Sequence, residues 1–81
     1  MTASPQTTAS EWARLLAEAL GTSPPTDEEV DDLLAIAGVA AHASERTAAP
    51  LSTWLVGRAG AAPSEARAAA AQLAAKLGHA G

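Results

Sequence analysis

Five side chains able to hold an anion or a polar partner fall in one short stretch, "AHASERTAAPLSTWLVGRAG", residues 41 to 60: His42, Arg46, Ser52, Thr53 and Arg58. Proline is well tolerated in the first turn of a helix, so a helix is expected to begin near Pro50. Ala49 before it is a poor cap, which would leave the amides of Ser52 and Thr53 as spare donors. Spare amides at a helix start, with Arg46 nearby, are the makings of an anion site. Thr47 could instead cap that turn and close it. Arg58 lies seven residues after Leu51, on the apolar face. There it would pair with Glu18 or Glu45, or extend its head to water. His42 and Arg46 are four residues apart across a helix end, a spacing that permits contact.

Other chemistry is poorly supported. The acidic run "DEEVDD", residues 27 to 32, lacks alternating oxygen ligands around a glycine turn. Acids in the first turns of a helix oppose its positive end, so a solvated helix start explains the run. His42 and His79 are the only histidines, with no H-x-x-x-H spacing, and no metal site is expected. Ser52 and Thr53 are not in a G-x-S-x-G elbow, and there is no Ser-x-x-Lys. There is no phosphate-binding loop, and "GRAG" at 57 to 60 follows a helix rather than a strand. The reading is of a protein that is not an enzyme, with no catalytic residues and no cofactor.

Composition narrows the partners. The 81 residues carry a net charge of −4, and the five basic residues Arg14, Arg46, Arg58, Arg67 and Lys76 are dispersed. Nucleic acid is not expected as a partner, because phosphate neutralisation needs clustered cations. With no cysteine there is neither a disulfide nor a thiolate. The sequence "MTASPQTTAS" has no basic and apolar leader pattern, and no run is long enough to span a bilayer. The expected location is the cytoplasm, away from membranes.

These residues need elements to place them. Thr8-Ala9-Ser10-Glu11 reads as a capping box, followed by Trp12, Leu15, Leu16, Ala19 and Leu20 at helical spacing. Gly21 then stands where a left-handed residue ends a helix, so the first helix is expected at 9 to 20. Thr26-Asp27-Glu28-Glu29 is a second capping box, opening a helix over 27 to 44. Its apolar face is Val30, Leu33, Leu34, Ala37 and Ala41, widened by Ile36, Val39 and Ala43. The third helix runs from near Pro50 to Gly60, with Gly57 allowing close approach of a neighbour. The fourth opens at Pro63, with Ala66, Ala69, Ala70, Leu73 and Leu77 as its stripe. Trp12 and Trp54, the only aromatic residues, are expected as the bulkiest core pieces. Interface hot spots also favour Trp, which keeps a binding role open.

The fold class is all-α, a compact bundle of four short helices, with the second and third innermost. Residues 8 to 78 form one domain, and 1 to 7 and 79 to 81 are expected to be disordered tails.

"EWARLLAEALG" followed by "VDDLLAIAGVAAHASERTAAPLSTWLVGRAG" resembles a small actinobacterial domain family of unknown function. Its members occur alone or fused to a molybdenum-cofactor guanylyltransferase domain of the MobA type. The resemblance covers about residues 10 to 78. Its most distinctive residues are Ala41-His42, Arg46, Ala49-Pro50-Leu51 and Thr53. It implies an accessory role near molybdopterin guanine dinucleotide synthesis, with a guanylyltransferase or a molybdoenzyme as partner. It implies no catalysis, since the guanylyltransferase's nucleotide loop and metal-binding acids are absent. The leading expectation is a non-catalytic interaction module with an apolar patch near the fourth helix or residues 46 to 58. A small-ligand or anion module built on Arg46, Ser52, Thr53 and Arg58 is the alternative, and a homodimer through alanine-lined faces is a third.

Overall fold

The computed structural model describes residues 7–78. Its elements are α1 (Ala9–Leu20), α2 (Asp27–Ala43), α3 (Ala48–Ala59) and α4 (Pro63–Lys76). No strand occurs among the described residues, and the all-α, four-helix class stands. The expected tails lie outside the described residues, except for Thr7, which is exposed.

Local chemistry sets the helix ends. The Thr8 N–H donates to Glu11 Oε1 at 2.9 Å, and the Glu11 N–H donates to Thr8 Oγ1 at 3.1 Å. Thr26 and Glu29 repeat the exchange at 2.8 and 3.1 Å. Each box satisfies two backbone donors that a helix start leaves without partners. Gly21 stops α1 in the left-handed region (φ 74°), where its N–H and that of Thr22 donate to carbonyls of the last turn. Pro63 is the first residue of α4, with Glu65 in the first turn and Lys76 in the last.

The helix at the centre is α2, which packs against both α3 and α4. Ile36, with 2% of its surface exposed, is the largest fully buried side chain. It lies at the floor of a cleft of about 280 Å³ between α3 and α4. Towards α2, α4 presents alanines: Ala74 is buried, and Ala66 and Ala70 are half-buried. Small side chains at every fourth position give a smooth ridge that a neighbouring helix can approach closely. Arg67 Nη1 donates to Asp32 Oδ1 at 3.0 Å, tying α4 to α2 across 35 residues. Leu73 and Leu77, expected in the core stripe, are exposed instead.

The expectation that α3 lies innermost is corrected: it has no buried residue. Its orientation is also reversed. Ala49, Ser52, Thr53 and Val56 are half-buried, while Leu51, Trp54, Leu55 and Arg58 are exposed. Small residues are what fit against α2 at this distance. The half-buried hydroxyls cost little because each has an acceptor in its own helix. Ser52 Oγ donates to the Ala48 carbonyl at 2.8 Å, and Thr53 Oγ1 to the Pro50 carbonyl at 3.0 Å. Gly57 is not a close-approach residue, since a Cβ there would meet nothing within 4 Å.

Contacts between α1 and the other helices are sparse. It is seated by its alanine edge, with Ala17 buried and Ala13 half-buried. The Trp12, Leu15, Leu16 and Leu20 stripe lies roughly 100° around the helix from that edge and is exposed. Trp12 and Trp54 are therefore surface residues, 61% and 60% exposed, and not core.

Candidate functional site

At one end of α2 the three packed helices leave an apolar groove of about 160 Å³. Val39 and Ala43 line it from α2, Ala48 and Ser52 from α3, and Leu73 and Leu77 from α4. The alanines make the hollow, because a methyl group leaves room that a larger side chain would fill. A histidine and two cationic side chains, Arg46 and Lys76, belong to the same end of the domain. His42 is in the last turn of α2 and Lys76 in the last turn of α4. Arg46 stands in the corner between Ser44 and Ala48, both of which line the groove. Glu45 is the acid of this corner, and its Oε2 accepts the Thr47 hydroxyl at 3.3 Å.

The other end of α2 is acidic. Asp27, Glu28 and Glu29 occupy its first turn, with Glu29 committed to the capping box. Asp32 is committed to Arg67. Among the described residues no three His, Cys, Asp or Glu side chains are grouped to hold a metal ion.

The five residues singled out in the sequence divide among three places. His42 and Arg46 are exposed at the groove end, and Ser52 lines the groove. Thr53 borders a different hollow, beside Pro24, Pro25 and Leu33. Arg58 lies on the outer face of α3, its guanidinium carbon 5.2 Å from the Trp54 ring centroid. It pairs with neither Glu18, which is bonded to Arg14 at 3.3 Å, nor Glu45.

The expected spare amides are not available. The helix begins at Ala48, two residues before Pro50, so the Ser52 and Thr53 amides fall beyond its open first turn. At the true start, the Ala48 N–H donates to the Glu45 carbonyl at 2.8 Å and the Ala49 N–H to the Arg46 carbonyl at 3.1 Å. Pro50 has no N–H to offer. Thr47 makes no side-chain cap, and its backbone is already helical. The Ala48 and Ala49 donors of this turn are consumed by the tight corner that joins α2 to α3.

What remains is a surface for apolar side chains with cations at its rim. Sequence reasoning named the rim but missed the lining. Leu73 and Leu77 were read as core because they share a stripe with Ala66, Ala69 and Ala70. The signal was the alanine row at 66, 70 and 74, which buries in their place.

No described helix is long and apolar enough to cross a membrane. No curated protein and no solved structure matches the chain. Residues 4–80 match the family described as "Domain of unknown function (DUF6457)", and with nearly its whole length matched the chain belongs to that family.

Proposed function

We propose that this domain is a non-catalytic protein-interaction module that docks a partner in the groove at the α2–α3 corner. The observation that carries the reading is the groove itself. It is apolar and open, it is walled by Leu73 and Leu77, and Arg46 and Lys76 stand at its end of the domain. Such a surface suits an apolar segment flanked by acids, with the cations setting orientation and encounter rate. The absence of a catalytic role is supported by the polar groups themselves. Ser52, Thr53 and Glu29 are engaged in local hydrogen bonds at their own helices, and Asp32 in the bond from Arg67 that ties α4 to α2.

The partner we propose is a molybdenum-cofactor guanylyltransferase or a molybdoenzyme, met in the cytoplasm as an accessory to molybdopterin guanine dinucleotide synthesis. The support is the resemblance carried by Ala41-His42, Arg46, Ala49-Pro50-Leu51 and Thr53. All but Thr53 lie in the last turn of α2, the corner and the first turn of α3, and their chain neighbours Ala40, Ala43, Ser44, Ala48 and Ser52 line the groove.

Calorimetric titration with each purified partner tests both parts. Binding that is lost in Leu73→Arg and weakened in Arg46→Ala, with helicity unchanged, is the expected result. Binding to either partner that ignores Leu73→Arg removes the groove. No binding to either removes the molybdenum link.

A further inference from the structure

The two tryptophan stripes lie outside the groove, and the proposed function leaves them unused. On α1 the stripe is Trp12, Leu15, Leu16 and Leu20, and on α3 it is Leu51, Trp54 and Leu55. Each follows helical spacing on a helix of 12 residues. The α3 stripe faces away from its helix's half-buried edge, the α1 stripe lies roughly 100° around from its buried edge, and contacts between α1 and α3 within the chain are at most sparse. Surface leucines scattered singly need no explanation, but two continuous stripes holding every aromatic residue of the protein do.

We propose that these stripes cover one another between two copies of the chain. The α1 of each protomer lies along the α3 of the other, and a two-fold axis relates the two joints. Area favours a second copy. At their observed exposures, the α1 side chains offer about 450 Å² and the α3 side chains about 400 Å². Neither stripe alone reaches the about 800 Å² per partner of a standard stable interface, whereas the two together do. A reciprocal joint buries both stripes of both chains and leaves neither exposed.

Charge favours the same pairing over α1 on α1 or α3 on α3. The segment forming α1 holds Glu11, Glu18 and Arg14, and is net acidic. The segment forming α3 holds one charged residue, Arg58, and in the corner before it Glu45 and Arg46 cancel. Arg58 forms no ion pair among the described residues and is laid over Trp54, in the stripe itself. Like helices would set acid against acid or arginine against arginine, whereas α1 against α3 sets acid against arginine.

The test is the mass of the intact chain by size-exclusion chromatography with light scattering, from micromolar to millimolar concentration. A dimer is expected for the parent. Trp12→Glu and Trp54→Glu should each be monomeric with unchanged helicity. An equimolar mixture of the two should associate more tightly than either variant alone, because one joint then has two intact stripes, but less tightly than the parent, which has two such joints. Arg58→Glu, which leaves the apolar side chains in place, should weaken dimerisation by about tenfold, and Glu18→Arg in the same chain should recover part of it. Leu73→Arg, in the groove, should leave the mass unchanged, so failure here and failure of the docking groove are read separately. A parent that stays monomeric at millimolar concentration overturns the proposal. So does a Trp54→Glu variant that still dimerises as the parent does, or a mixture that associates no better than either variant alone.

Discussion

The seam between α2 and α4 and the outer face of α3 use the same kinds of residue in opposite ways. At the seam, Ile36 is enclosed, alanines form the facing ridge, and Arg67 reaches Asp32. On α3, the alanine, serine and threonine side is inward, and the leucines and tryptophan are outward. The difference teaches that size and hydrophobicity do not by themselves decide burial in an alanine-rich domain. Where helices must come close, the small side wins the interior, and large apolar residues are left for other surfaces.

The comparison can be broken by mutation. Ile36→Ala should cost the most, about 2 to 5 kcal/mol, because it empties an enclosed site. Chemical denaturation measures it, and a loss below that of Trp54→Ala would invert the picture of the core. The two capping boxes sharpen the contrast next. Thr26→Ala removes a cap from the central helix and should lower global stability by about 1 kcal/mol. Thr8→Ala removes an equivalent cap from a helix with sparse contacts. Its effect should appear in hydrogen exchange within residues 9 to 20 and scarcely in the melting temperature of the monomer.

Trp54→Ala should cost the monomer less than about 1 kcal/mol, although it removes the largest side chain of α3. What it loses is partial burial and the Arg58 contact, and what it gains is the helix propensity of alanine. Gly57→Ala should stabilise α3 by about 0.5 to 1 kcal/mol, since the new methyl group meets open space. A destabilisation there would mean that α3 sits closer to a neighbour than described. The smallest effect concerns pH. The Thr8 backbone N–H, then the Thr8 hydroxyl and more weakly Arg14, hold the Glu11 carboxyl below its ordinary value of 4.5. A depressed carboxylate stabilises the fold above the unfolded value, and that contribution is lost as pH falls through the lowered one. Carbon chemical shifts of α1 should therefore report fraying below pH 4.5 that Glu11→Gln flattens.

Much of the fold was legible in the letters. Thr8 with Glu11, Thr26 with Glu29, Gly21 and Pro63 are local signals, and each acts where its spacing says it should. The rotation of α3 was not legible. Residues 51, 54, 55 and 58 form one face and 49, 52, 53 and 56 the other, and hydropathy ranks the first as the inner one. The inner face was set by the fit of small side chains against α2 and by hydroxyls that find acceptors in their own helix. The start of the site was misplaced by two residues for a similar reason. Pro50 marks a helix's first turn, but Ala48 and Ala49 had already entered it through the corner at Glu45 and Arg46. His42 and Arg46, at the groove's end of the domain, could be named because polar side chains at a helix end stand out. The groove walls could not, because alanine looks alike in a core, a ridge or a hollow.

The placement of α4 matters for how the protein is made. During synthesis α2 emerges long before the alanine ridge that covers it, and α4 is the last of the four helices to appear. Until Ala66, Ala70 and Ala74 leave the ribosome, the nascent chain displays Ile36, which the finished fold encloses. Its window of aggregation risk is therefore the time taken to translate the stretch from α3 to the end of α4. Slow codons placed in that stretch would lengthen the exposure, and the yield of soluble protein would fall with them.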